Sequence, residues 1–176
     1  MFLRQVRHLT SGLRSLRVGN PIPDLRLTLV TVQEGKYHIQ RDVPALQFFE
    51  GKKSVLVGFP GAFTPTCTAT HLPGYVQLHS SFQAKQTQVV ALAVNDPFVL
   101  KEFAEELKAD FVFIADGSGV FTKAIDAGVD LSPNELGYRT RRFSAVIHDG
   151  KFVEVNDERG PKLTEISKAE TVLKGL

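Results

Sequence analysis

Two periods of apolar residues alternate along the chain from Asp24 onward. RLTLVTV (26–32) and KYHIQ (36–40) flank Glu34-Gly35 and read as an N-terminal β-hairpin. SVLVGF (54–59), VVALAV (89–94) and FVFIA (111–115) are unbroken apolar runs, as expected of strands covered on both faces. Helical patterns lie between them. Asp42 is expected to cap a short helix in VPALQFF that ends near Gly51. A second helix is expected from Pro65 to about Ala84, kinked rather than ended by Pro73-Gly74. Asp96 caps a third helix, with Pro97 at its first position. Ser118 opens a short one running to about Asp126. RFSAVI (142–147), the turn Asp149-Gly150 and KFVEV (151–155) form a closing hairpin, and a final amphipathic helix is expected from about Thr164 to Leu173. This order predicts an α/β fold with a mixed central sheet flanked by helices. Right-handed crossovers would bring the ends of strands 54–59 and 111–115 to one rim.

The first residues follow another rule. In MFLRQVRHLTSGLRSLRV, Phe2, Val6, Leu9, Leu13 and Leu16 share one helical face, while Arg4, Arg7 and Arg14 fall opposite. The first acidic residue of the chain is Asp24. An amphipathic, arginine-rich segment that avoids acids has the character of a mitochondrial transit peptide. A surface helix of the domain, or one lying on a membrane, is the plainer alternative. The expected division is a transit peptide over 1–17 and one domain over 18–176, in the mitochondrial matrix, with a cytoplasmic location as the alternative.

Composition adds exclusions. Hydrophobic residues make up 43% and charged residues 23% of 176, a globular balance with no apolar run long enough to span a bilayer. Beyond residue 18 the chain has 17 basic and 19 acidic residues, so it lacks the basic field of a nucleic-acid binder. One cysteine excludes an internal disulfide and a zinc site of several thiolates.

That cysteine, Cys67, lies where strand 54–59 turns through Pro60-Gly61 into the second helix. With Thr64 as cap and Pro65 at the first helical position, Cys67 falls within the first turn. Unpaired backbone N–H groups and the positive end of the helix favour an anion there. Such positions lower a thiol's pKa from about 8.5, and the thiolate is the nucleophile. A buried, inert cysteine is the competing reading. Thr64, Thr66, Thr68, Thr70 and His71 surround Cys67 with polar groups, which favours reactivity.

The run PGAFTPTCTATHLPGY (60–75) resembles the active-site segment of the type II peroxiredoxins, thiol peroxidases of the thioredoxin-like superfamily. VGNPIPDLRL (18–27), VNDPFV (94–99), RRFSAVIHDGKF (141–152) and VEVN (153–156) extend the likeness from about residue 17 to the carboxyl end. The resemblance implies a thioredoxin-like fold and reduction of hydroperoxides. Cys67 matches the peroxidatic cysteine, which becomes a sulfenic acid. Thr64 matches the threonine whose hydroxyl bonds the cysteine–peroxide pair, and Pro60 the proline that shields the sulfur from water. Arg142 matches the family arginine, with Arg139 and Arg141 as neighbours of similar chemistry. A guanidinium there would favour the anion and donate its fixed fork to the peroxide oxygens.

His71, four residues after Cys67, either tunes the sulfur or packs within the helix. Leu131 and Leu136, in GVDLSPNELG, either wall an apolar pocket that admits organic hydroperoxides or anchor their loop. Many type II members carry a second, resolving cysteine; here VVALAV offers alanine instead, so an external thiol must resolve Cys67. Glutathione with glutaredoxin, or thioredoxin, would serve. The alternative function is a peroxide sensor or relay that passes Cys67 oxidation to a partner protein. A homodimer is expected from the likeness, with no cofactor, metal, nucleic acid or membrane as partner.

Overall fold

The computed structural model describes residues 15–176. Most of the amino-terminal amphipathic pattern therefore lies outside the described residues. Leu16 is described: it is buried, and its amide donates to Ile125 O at 2.6 Å.

Seven strands form one mixed sheet. They are β1 (Arg26–Gln33), β2 (Lys36–Pro44), β3 (Lys53–Gly58), β4 (Thr87–Ala93), β5 (Val112–Ala115), β8 (Phe143–His148) and β9 (Lys151–Asp157), ordered β2-β1-β5-β4-β3-β8-β9. The three apolar runs read as buried strands make the parallel centre, β5-β4-β3. The two hairpins close the sheet antiparallel on either side. A separate ribbon pairs β6 (Gly128–Asp130) with β7 (Tyr138–Thr140), where the sequence pattern predicts only a loop.

Alternation sorts the central residues onto two cores. Val55, Val57, Val89, Ala91 and Phe113 face α2 (Leu72–Gln77), α3 (His79–Ala84), α4 (Pro97–Glu106) and α6 (Ala169–Gly175), through Tyr75, Phe82, Phe103 and Val172. Leu56, Val90, Leu92 and Ile114 face α1 (Ala45–Phe49) and α5 (Val120–Ala124), through Phe49 and Phe121. Both faces are dry, which is why these strands show no polar alternation. Gly58 ends β3 without a side chain because a Cβ there would sit 2.1 Å from the Phe143 ring.

Several helix ends differ from expectation. Asp96 caps α4 as predicted, accepting from Phe98 N at 2.9 Å and Val99 N at 3.1 Å. Asp42 does not cap α1. It sits in a bulge of β2 with φ +60°, beside Arg26, and the strand continues to Pro44. Asp116, not Ser118, serves α5: its carboxylate accepts from Phe121 N at 3.1 Å and Thr122 N at 2.7 Å. The last helix begins at Ala169 instead of Thr164. Residues 158–168 form a loop because Thr164 and Ser167 bond Glu158 rather than a helical backbone.

Candidate active site

The parallel centre of the sheet delivers β3 and β4 to the same rim. After Gly58, Phe59 N still bonds Leu92 O at 3.1 Å, and then the chain turns. Two contacts pin that turn: Ala62 N donates to Asn95 Oδ1 at 3.0 Å, and the Thr64 hydroxyl donates to Gly61 O at 2.8 Å. Helix begins at Pro65, as the sequence predicts, and Cys67 lies in its first turn, fully buried. Thr64 does not cap it with its side chain, because the hydroxyl is turned to Gly61 O.

Helical spacing then changes. Cys67–His71 is a π-turn, in which Leu72 N reaches back five residues to Cys67 O. Pro73 follows at once. It has no N–H to return to Ala69 O, so the ladder is already incomplete where the wider turn sits. The helix passes through Pro73-Gly74 as expected but stops at Gln77. Leu78 breaks it, and a separate α3 covers His79–Ala84, so the one helix expected to about Ala84 is two.

Arg142 arrives from across the sheet. It immediately precedes β8, where its amide donates to Gly160 O at 2.8 Å and its carbonyl accepts from Glu158 N at 3.1 Å. Its side chain, 1% exposed, is held by three acceptors. Nε donates to Pro161 O at 2.9 Å, one terminal nitrogen contacts His71 Nδ1 at 2.8 Å, and the other donates to Cys67 Sγ at 3.4 Å. Among the described residues no carboxylate lies within ion-pair distance of Arg142. A buried cation without an anion is costly. The ionisable acid in direct contact with this one is the Cys67 thiol.

The neighbouring arginines are committed elsewhere. Arg141 points to the other side and grips Asp157 with two nitrogens, Nε at 2.9 and 3.0 Å and the other at 2.7 Å. Arg139 ties the 131–137 loop to the rim, donating to Leu136 O at 2.7 Å and Val94 O at 3.4 Å.

His71 does not hydrogen-bond the sulfur. Its Nε2 lies 3.1 Å from Ser167 O, which also accepts from the Tyr75 hydroxyl at 2.8 Å. Burial, reinforced by the Arg142 charge, pushes His71 down to about 3, against the opposing pull of the Ser167 carbonyl and Glu158. Burial raises the Tyr75 phenol. Burial also works to raise Glu158, but bonds from the hydroxyls and amides of Thr164 and Ser167 prevail and hold it below the usual carboxylate range.

A pocket of about 290 Å³ meets this cluster, lined by Pro60, Thr64, Leu131, Leu136, Arg142 and Pro161 among others. Pro60, Thr64 and Arg142, singled out by sequence, line this pocket together with Leu131 and Leu136. Cys67 lies behind the lining, fully buried, and Arg142 is in contact with both pocket and sulfur. Larger clefts, of 370 to 740 Å³, include neither Cys67 nor Arg142, so size does not locate the chemistry. Sequence reasoning missed Pro161, Ser167 and Glu158. No local signal marks them, because each acts through a contact more than fifteen residues away or through a loop read as helix.

A lone cysteine in a first helical turn, a buried guanidinium on it without a carboxylate partner among the described residues, and a small pocket alongside suit thiol-dependent peroxide chemistry. Comparison with known proteins agrees. The Redoxin family description matches residues 17–173. Peroxiredoxin-2C of Oryza sativa subsp. japonica is 40% identical over 162 residues, covering 90% of this chain and 97% of that one. Peroxiredoxin-2F, mitochondrial, of the same organism is 40% identical over 133 residues, 74% of this chain and 67% of the relative. Relatives named as chloroplastic also occur. Among solved structures, reduced Prx3 of Vibrio vulnificus in complex with hydrogen peroxide superimposes with a TM-score of 0.80 at 35% identity, over 90% of this chain and 94% of that one. The chain belongs to the peroxiredoxins, as a type II member with one cysteine and a thioredoxin-like fold. These likenesses favour the enzyme over the sensor or relay.

Proposed function

We propose that this peroxidase reduces hydrogen peroxide and organic hydroperoxides at Cys67 and is recycled by an external thiol. The Cys67 thiolate attacks the terminal peroxide oxygen, the O–O bond breaks, and the leaving alkoxide or hydroxide takes a proton. Cys67 is left as a sulfenic acid. One external thiol then displaces water to give a mixed disulfide, and a second releases the Cys67 thiol and a disulfide product.

The observation that carries this reading is the buried Arg142 guanidinium, 3.4 Å from Sγ and without a carboxylate partner among the described residues. Its charge stabilises the anion, and its remaining N–H groups can hold the peroxide oxygens as charge develops on the leaving one. The Thr64 hydroxyl, which gives its proton to Gly61 O, keeps lone pairs to accept from a peroxide O–H. Pro60, buried at the pocket edge, offers no backbone N–H to hold a water there, which suits shielding of the sulfur. The Leu131 and Leu136 wall suits an organic tail.

Glutathione with glutaredoxin is the reductant favoured by a narrow pocket, with thioredoxin as the alternative. The peroxiredoxin likeness supports a homodimer. For location, the arginine-rich 1–17 segment and the mitochondrial relative support a matrix enzyme. The burial of Leu16 in the folded body supports a shorter transit peptide than 1–17, one that ends before Leu16.

A coupled assay tests the reading. The protein is given tert-butyl hydroperoxide with glutathione and glutaredoxin, or with thioredoxin and its reductase. Sustained turnover in at least one system is expected, fastest with glutathione. Oxidation that stops after one equivalent in both would overturn it.

A further inference from the structure

We infer that His71 is a positioning residue, a neutral acceptor that fixes the Arg142 guanidinium on Cys67 while leaving its charge unspent. The inference rests on the role proposed above for Arg142.

Hydrogen-bond chemistry sets the tautomer. A guanidinium has five donors and no acceptor, so the contact at 2.8 Å requires an unprotonated His71 Nδ1. Ser167 O can only accept, so Nε2 carries the proton. Both ring nitrogens are then satisfied, and an imidazolium would set a second N–H against the Arg142 N–H. Burial and the Arg142 charge disfavour that protonated form in any case.

The choice of acceptor has an electrostatic consequence. A carboxylate in the place of His71 would fix the guanidinium equally well, but it would neutralise it and compete with the thiolate. Arg141 shows that outcome on the other face, bound to Asp157. A neutral imidazole supplies direction without an opposing charge. Its far side is anchored in turn: Ser167 N and its hydroxyl bond Glu158 at 3.3 and 2.7 Å, and Glu158 N bonds Arg142 O. The loop that carries Pro161 and Ser167 thus orients both the arginine and the histidine that holds it.

Two substitutions separate the ring's two contacts. In His71→Asn the carboxamide oxygen falls near the place of Nδ1, so the acceptor for Arg142 is kept and the bond to Ser167 O is lost. In His71→Gln the amide nitrogen falls near Nε2, so the bond to Ser167 O is kept and the Arg142 acceptor is lost. Single-turnover oxidation of Cys67 by hydrogen peroxide at pH 7 is read for both, beside Arg142→Ala. Expected is a rate for Asn within about threefold of wild type and a fall of about tenfold for Gln, the size of one lost hydrogen bond. Equal rates for the two variants, or a slower Asn, overturn the inference, since a merely structural histidine would not favour Asn. Nitrogen NMR of the wild-type protein is independent of how either variant folds. It should show an unprotonated Nδ1 and a protonated Nε2 at neutral pH; the opposite tautomer or an imidazolium overturns the inference as well. If Arg142→Ala itself oxidises as fast as wild type, the reading of the site fails rather than the role of His71.

Discussion

Arg141 and Arg142 are adjacent in sequence, in the short link between β7 and β8, and their side chains meet different surroundings with opposite fates. Arg141 faces a partly exposed region where Asp157 meets it with both carboxylate oxygens and Asp126 O takes another nitrogen. Burial alone would raise Asp157, but the Arg141 bonds and the Arg159 amide outweigh it and hold the carboxyl below its usual range. There the cation is cancelled and the pair tethers β9. Arg142 is fully buried and meets a carbonyl, an imidazole and a sulfur, none of which is an obligate anion. The same side chain is structural where its charge is neutralised and available for chemistry where it is not.

The harshest way to break this contrast is at the sulfur. Cys67→Ser should remove peroxide consumption completely while circular dichroism and thermal melting stay near wild type, and retained turnover would place the chemistry elsewhere. Next comes the arginine pair. Arg142→Ala should lower kcat/KM for tert-butyl hydroperoxide by about 10²- to 10³-fold, the usual cost of an electrostatic donor removed from a reacting centre. Arg141→Ala should leave kcat/KM unchanged and cost about 1–2 kcal/mol of stability, as expected for a part-buried, doubly bonded pair. Denaturant titration and steady-state kinetics on the two variants check both statements, and matched kinetic losses would erase the contrast.

The smallest effect sharpens it through pH. His71 faces Arg142, Tyr75 and, at longer range, Glu158, and its folded form resists protonation down to about 3. Unfolded histidine takes up a proton near 6.5, so the unfolded state binds more protons between these values. Stability is therefore complete above about pH 6.5 and falls as pH drops toward 3, with a contribution of up to about 1.4 kcal/mol per pH unit from this group. Glu158 and Asp157, both held low, lose their contributions in the same direction at more acid pH. His71→Asn should flatten the slope between pH 6 and 5, measured by urea unfolding; an unchanged slope would show that His71 is charged in the folded protein.

How much of this was legible in the sequence depends on the reach of each contact. The buried strands, the Asp96-Pro97 start of α4 and the placement of Cys67 after Thr64-Pro65 are set within a few residues, and each was read correctly. Arg142 is reached through motif likeness alone, since Arg141 beside it has the same chemistry and both lie between β7 and β8. Asp42 had the right residue type for a cap, but pairing with β1 drew it into a bulge. Ser118 lost the capping role to Asp116, whose carboxylate reaches two amides from one position. Thr164 to Lys168 reads as helix by pattern; Glu158 captures the hydroxyls and amides of Thr164 and Ser167 instead. The contacts of His71 join residues 71 and 96 positions apart, a separation that no local period encodes.

The most direct measurement is the rate at which hydrogen peroxide oxidises Cys67 at pH 6, followed by trapping the sulfenic acid and counting it by mass spectrometry. Wild type and Arg141→Ala should react at the same rapid rate, with Arg142→Ala at least about a hundredfold slower. If Arg142→Ala keeps pace with the other two, the unpaired guanidinium does not activate the sulfur, and the account given of this site is wrong.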